Sequence, residues 1–249
     1  MISRTNPVTR VLAAVIISVP LITTLDVISA VVVVAGGIAL LPLAGMGVGM
    51  IARRVAPLLV VAPLVAVSML FYGVPHGQEY WQFGAIHMTD GSIGLALAVA
   101  VRVIALGLPA IVLFSTIDPT ALADGLAQRL HAPARFVIAA LAAVRLTTLV
   151  VNDWQNMALS RRARGLSDVA PVRRFVSMAF GLLVLSIRRG SKLATAMEAR
   201  GFGTNTARTW ARPSPVGWWD AALIGVALAI AVSAIVVSIL TGSFRVVWL

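Results

Sequence analysis

From Val11 to Ala52 the chain carries a single charge, Asp26. A helix needs about 20 apolar residues to cross the hydrocarbon core of a bilayer. This run is therefore long enough for two crossings, with Asp26 near the turn between them. Three more apolar runs follow: Val55 to about Pro75, Ser92 to Phe114 with Arg102 inside it, and Ala221 to Gly242 with no charge at all. Hydrophobic residues make up 59% of the 249 residues and charged residues only 12%. Soluble domains carry about 25% charged residues, so there is too little polar surface here to cover a water-soluble globule. The chain reads as an all-α integral membrane protein with about five transmembrane helices.

The first run also has the outline of a secretory signal, with Arg4 and Arg10 before it and small residues near Ala30. Apolar sequence resumes at once after Asp26, which favours an uncleaved first span. Orientation follows from Lys and Arg in short loops. Arg4 and Arg10 precede span one, and Arg53 and Arg54 fall between spans two and three. The stretch from Val74 to Gly91 has no Lys or Arg and holds Glu79, Asp90, Tyr80, Trp81 and Phe83. The N-terminus is thus expected in the cytoplasm, the aromatic loop outside, and, after five spans, the C-terminus outside. There is no cysteine, and His76, His87 and His131 are scattered. Disulfides, thiol chemistry and a close-spaced metal site are not expected.

Between spans four and five lie residues 115–217, with fourteen Lys or Arg against five acids. That +9 is most of the formal +11 of the whole chain. Two apolar stretches inside this block, Phe136–Val151 and Phe175–Ile187, are short, and the first contains Arg145. If both crossed the membrane, Arg161, Arg162, Arg164, Arg173 and Arg174 would lie outside, against the positive-inside bias. The better expectation is a cytoplasmic block of one short and two long helices. Asp118-Pro119 is a good helix start, and the short helix stops before Pro133. The first long helix runs from Ala134 to Gly165 and the second from Val172 to about Gly201, with Pro171 marking the break. Each is about 30 residues, or roughly 45 Å. They are expected to lie at or under the membrane face.

Both long helices end alike. One closes Arg161-Arg162-Ala163-Arg164-Gly165 and the other Met197-Glu198-Ala199-Arg200-Gly201, with the two Ala-Arg-Gly arginines 36 positions apart. Gly after a helix end takes the left-handed conformation cheaply, and a basic last turn suits the helix dipole. A single copy would mean little. Two copies closing two matched helices make two prongs, each presenting the planar five-donor fork of Arg to carboxylates and carbonyls. Such a pair suits two equivalent sockets on a partner.

With these motifs in view, the chain resembles the transmembrane T component of energy-coupling factor (ECF) transporters, the group that includes cobalt-transport Q-type permeases. The resemblance covers nearly the whole chain: Asn6-Pro7-Val8-Thr9-Arg10, Thr89-Asp90-Gly91 leading to Arg102, Ser115-Thr116, the Pro133 elbow, and above all the two Ala-Arg-Gly motifs with Met197-Glu198 before the second. The family often has Arg-Phe-x-Pro in the first long helix. Here Arg145 is followed by Leu146-Thr147-Thr148, so the kink is missing and a straighter helix is expected. The resemblance implies transmembrane helices one to four in 1–114, a coupling-helix domain in 115–217, and a final span and tail in 218–249. It implies a multi-pass scaffold in a prokaryotic inner membrane for two ABC ATPases, or one fused double ATPase, and for one membrane S component that captures substrate. Arg164 and Arg200 would dock into the ATPases, with Arg161, Arg162, Met197 and Glu198 supporting. Phe136–Val151 and Phe175–Ile187 would carry the S component. Substrate would be a vitamin, a vitamin precursor or a transition-metal ion.

No G-x-x-x-x-G-K-[ST] occurs anywhere in the chain. It is not expected to be an enzyme or to bind a cofactor, and ATP and Mg would be used by partners. Arg102 is read as a structural intramembrane charge paired with Asp26 or with helix-end carbonyls, ahead of a role in a pathway. Asp124-Gly125 with Arg129 has the start of a CDP-linked phosphotransferase motif, but no acid follows until Asp153 to complete a metal site. No nucleophile motif with a His supports an intramembrane Ser protease. Two other classes stay open: a permease with its own substrate site, and a membrane anchor whose basic face binds lipid or a partner. Nucleic acid is disfavoured because the cations cluster at helix ends rather than along a stripe.

Overall fold

The computed structural model describes residues 5–24, 26–45, 47–72, 79–83, 86–165, 171–203 and 209–242. Eight helices and one hairpin occur among them: α1 Pro7–Thr23, α2 Val27–Ala44, α3 Val48–Tyr72, β1 Glu79–Phe83, β2 Ile86–Thr89, α4 Asp90–Phe114, α5 Pro119–Arg129, α6 Ala134–Ala163, α7 Pro171–Ala199 and α8 Trp218–Leu240. They form two compact units. One is residues 1–118 with 215–249, and the other is the inserted stretch 119–214.

In the first unit the helix starts are set by local chemistry. Asn6 caps α1 by accepting from the Val8 N–H at 3.0 Å, with Pro7 in the first helical position. Asp26 caps α2, accepting from the Ser29 N–H at 2.8 Å and the Ser29 hydroxyl at 2.7 Å. Burial pushes the Asp26 carboxyl up, but these bonds outweigh it and hold it below the usual carboxylate range. Thr89 and Ser92 form a reciprocal capping box on α4.

Helix α4 packs on α1, α2 and α3, and α8 packs on α1 and α2. The core is made of small and aliphatic residues: Ala13, Ala30, Ala105, Ala227 and Ala234 are fully buried beside Ile17 and Leu113. Small residues let helices approach closely where lipid offers no competing hydrophobic drive. Gly37 of α2 and Gly107 of α4 mark the closest approaches. A Cβ added at these positions would meet Leu108 at 2.3 Å and Leu58 at 2.5 Å. The outward faces are apolar, as a bilayer requires, with Leu64 69% and Leu240 80% exposed.

A buried polar clamp closes one end of this unit. Arg10 donates from Nε to the Thr5 hydroxyl, from Nη2 to the Thr5 carbonyl and from Nη1 to the Thr116 hydroxyl, each at 2.9 Å. Asp220 accepts from the Asn6 N–H at 2.6 Å and the Gly217 N–H at 2.7 Å, and Asn6 Nδ2 donates to the Pro215 carbonyl at 3.1 Å. Residues 5–10 thus hold the chain where it departs for the second unit and where it returns.

The all-α membrane architecture stands, with three adjustments. Arg53 and Arg54 lie inside α3 rather than in a loop, because nothing between Val48 and Pro57 breaks a helix. The aromatic stretch after α3 folds in part as an antiparallel hairpin, Trp81 opposite Met88 and Phe83 opposite Ile86, in keeping with its aromatic and β-branched content. By length and composition, α3, α4, α6 and α8 are each able to cross a membrane, whereas α1 and α2 are shorter apolar helices. α6 qualifies because its N-terminal half carries few charges, although the sequence reading kept it out of the membrane.

Candidate functional site

The second unit is built on α5, α6 and α7. Its first helix is pinned to the returning chain. Gln128 Nε2 donates to the Arg212 carbonyl at 2.8 Å, Gln128 Oε1 accepts from the Ser214 N–H at 2.9 Å, and Arg129 Nε donates to the Ser214 carbonyl at 2.8 Å. Arg129 therefore does a tethering job, and no group of three or more metal-ligating side chains exists among the described residues.

Helices α6 and α7 run antiparallel. Near the end of α6, Arg161 Nη2 donates to the Ser177 hydroxyl at 2.7 Å. One turn or more further in, Trp154 meets Phe175 edge-on with ring centroids 5.5 Å apart. Asp153 and Arg189 then form a two-pronged ion pair, one prong of which is Nη2 to Oδ1 at 3.0 Å. Beyond it, Ala139, Ala142 and Leu146 of α6 face Leu193, Met197 and Phe202 across an apolar groove of about 320 Å³. α6 is one unbroken helix of 30 residues, as the missing proline led one to expect.

The two motifs take the same backbone form. Arg164 and Arg200 each follow the last helical residue, and Gly165 and Gly201 are left-handed with φ of 69° and 75°. The Gly165 N–H donates to the Arg162 carbonyl at 3.0 Å and the Gly201 N–H to the Glu198 carbonyl at 2.9 Å. On α7 the Phe202 N–H reaches back to the Met197 carbonyl at 2.9 Å, completing a Schellman cap. Each glycine thus ends its helix and leaves the preceding arginine exposed at the tip. Ala163, Arg164 and Gly165 lie at one end of the antiparallel pair, and Ala199, Arg200 and Gly201 at the other. Met197 and Glu198 line the groove.

The crossing pair was missed from sequence, although a signal exists. Asp153 and Arg189 are 36 positions apart, the same spacing as Arg164 and Arg200. Each motif arginine stands eleven residues beyond the ion-paired residue on its own helix, about 16 Å along the axis. Measured from this ion pair, the two helix ends have equal reach. Asp153→Arg or Arg189→Asp alone should destabilise the helix pair by about 1–3 kcal/mol, while the double swap should recover most of that loss. A double-mutant cycle on thermal unfolding measures the coupling, and additive single effects would contradict it.

Arg102, in the first unit, is not drawn into this site. Its Nε and Nη2 are buried without a hydrogen-bond partner among the described residues. Asp26 is committed to capping α2, though its charge is the one that reaches the guanidinium. The outer face of α7 is an exposed apolar stripe of Val172, Val176, Phe180, Leu183 and Ile187.

Residues 1–210 match the cobalt transport protein family, CbiQ. The chain belongs to this family. Among its relatives, a protein of Limosilactobacillus fermentum called energy-coupling factor transporter transmembrane protein EcfT is 30% identical over 179 residues, covering 64% of this chain and 66% of the relative. A protein of the same description from Ruminiclostridium cellulolyticum is 23% identical, over 63% of this chain and 62% of the relative. A third, from Streptococcus equi subsp. equi, is 22% identical over 84% of this chain and 82% of the relative. The chain thus spans a little under two thirds of the first two relatives. The CbiQ match ends at residue 210, so it includes both Ala-Arg-Gly caps and the Asp153–Arg189 pair.

Proposed function

We propose that this CbiQ-family chain is the T component of an ECF-type importer. It couples ATP hydrolysis by partner subunits to uptake of a vitamin, a vitamin precursor or a transition-metal ion. The observation that carries this reading is the equal reach of the two Arg-Gly helix ends from the Asp153–Arg189 ion pair between α6 and α7. Two exposed arginines, each on a glycine cap, stand eleven residues from the two members of one ion pair. A dimeric partner with one groove per subunit fits such a pair. Arg164 and Arg200 dock into two ABC ATPases, or into the halves of a fused one, with Arg161, Arg162, Met197 and Glu198 holding the caps. ATP and Mg are used there, and this chain binds no cofactor of its own.

The exposed apolar face of α7 and the apolar half of α6 carry the S component, which captures the substrate. Exposed contiguous apolar surface of this extent marks a protein or membrane contact. Both long helices lie along the cytoplasmic face of a prokaryotic inner membrane, with the N-terminus in the cytoplasm and the C-terminus outside. The names of the EcfT relatives support this reading.

The test is affinity purification of the tagged chain from its own cells, with mass spectrometry of what comes with it. ABC ATPases and one small membrane protein should copurify in near-stoichiometric amounts, and the chain alone should hydrolyse no ATP. Isolation of the chain free of any ATPase, but with a tight small-molecule ligand, would favour a self-sufficient permease.

A further inference from the structure

The two arms are equal in reach but not in charge. Arg161, in the last turn of α6, bonds across to Ser177 in the second turn of α7. This brings the end of α6 beside the first turn of α7, which holds Arg173 and Arg174. Five arginines, Arg161, Arg162, Arg164, Arg173 and Arg174, are thereby gathered around one tip. Arg162, Arg164 and Arg173 are exposed and the other two half-buried. Among the described residues no carboxylate forms an ion pair with any of them. The connecting segment 166–170 contributes one acid to the sequence, Asp168. The opposite tip has Arg200 with Glu198 two residues before it, and Lys192 two turns earlier.

Arg173 and Arg174 also stand at the wrong helix end. The N-terminal turn of a helix favours anions and disfavours cations. A cluster of like charge with no ion-pair partner among the described residues, partly placed against a helix dipole, is unfavourable for the chain alone. An acidic surface brought by a partner reverses the sign of both effects.

We propose that the tip bearing Arg164 requires an acidic rim on the subunit that receives it, and that the tip bearing Arg200 does not. The two ATPase sockets are then chemically unlike, and Arg161, Arg162, Arg173 and Arg174 decide which socket takes which arm. This rests on the docking reading above. The occupant is a protein rather than a lipid surface because Arg164 stands inside the patch, so whatever receives Arg164 also meets the other four.

The test exploits the absence of cysteine in the chain. Ser160→Cys and Ala196→Cys place single thiols at equivalent exposed positions, four residues before Arg164 and Arg200 respectively. The assembled complex is held in nanodiscs of phosphatidylcholine, with or without phosphatidylglycerol, and treated with a cysteine-to-lysine cross-linker. The residue-160 site should link to one ATPase, or one half of a fused ATPase, and the residue-196 site to the other. Arg173→Glu with Arg174→Glu should lower the product at 160 about tenfold, in the range by which rim charges steer association. The product at 196 should be unchanged, and the result should be the same in both lipids. The same ATPase polypeptide recovered equally at both sites overturns the inference and leaves docking intact. An effect of the two reversals seen only with phosphatidylglycerol assigns the patch to the membrane and also overturns it. No ATPase product at either site removes the docking reading itself.

Discussion

Replacing Arg164 and Arg200 together by Glu should strip the ATPases from the complex and reduce uptake to background, while the chain still inserts and purifies as a single species. Both side chains are exposed at their helix ends, so their loss leaves the fold intact. What changes is the contact. Removing one partner of a desolvated, hydrogen-bonded charge at an interface costs about 2–5 kcal/mol, and a reversal adds repulsion from the same acceptors. Two tethers act together, and linking them multiplies affinity by about 10²–10⁴ over either alone. Single reversals should therefore weaken copurification strongly, and the double reversal should abolish it. Pull-down from membranes, with size-exclusion chromatography of the variant, measures both halves of the prediction. Undiminished ATPase recovery with the double variant would sink the docking role of these arginines.

Arg10→Ala should lower the stability of the membrane unit by about 3–5 kcal/mol, because three hydrogen bonds from a buried charged group, each worth about 1.5–3 kcal/mol, are lost together. Arg10 and Asp220 are each only 3% exposed. The guanidinium serves three acceptors on two segments, Thr5 and Thr116. At about 2–4 °C per kcal/mol for a chain of this size, the midpoint of thermal unfolding should fall by roughly 10 °C. Arg10→Lys should recover little, because an ammonium on a single stem has no planar fork to span Thr5 and Thr116 at once. An Arg10→Ala protein that melts with the native chain would show that the clamp is not a stabilising element.

Arg10 shows where sequence reading stops. On the page it is one more basic residue ahead of the first span, and it was counted as a marker of orientation. Its buried role depends on Thr116 and Asp220, more than 100 and 200 positions away, which no local pattern announces. The helix boundaries of the inserted unit were readable because proline marks them: Pro119 starts α5, Pro133 precedes α6 and Pro171 opens α7. Arg53 and Arg54 were misplaced into a loop for the opposite reason, since no breaker stands near them. The hairpin after α3 was hidden because a few alternating aromatics also suit an interfacial loop. At the candidate site, both Arg-Gly caps were readable, because left-handed glycine after a basic last turn is a local signal. The Asp153–Arg189 crossing was not, because it depends on the antiparallel register of two long helices. Only its spacing, equal to that of the motifs, left a trace in the sequence.

That spacing has a mechanical meaning. If the ion pair acts as a fulcrum in the proposed complex, a rigid turn of α6 against α7 would move the two tips through equal arcs, one on each side. In the proposed complex, two ATPase subunits closing on ATP would meet the same leverage at either end. Their separate displacements would reach the apolar faces of α6 and α7 as a single scissoring coordinate. An arm lengthened by one helical turn, through insertion of four residues between Arg189 and Arg200, would break that balance while keeping both caps intact.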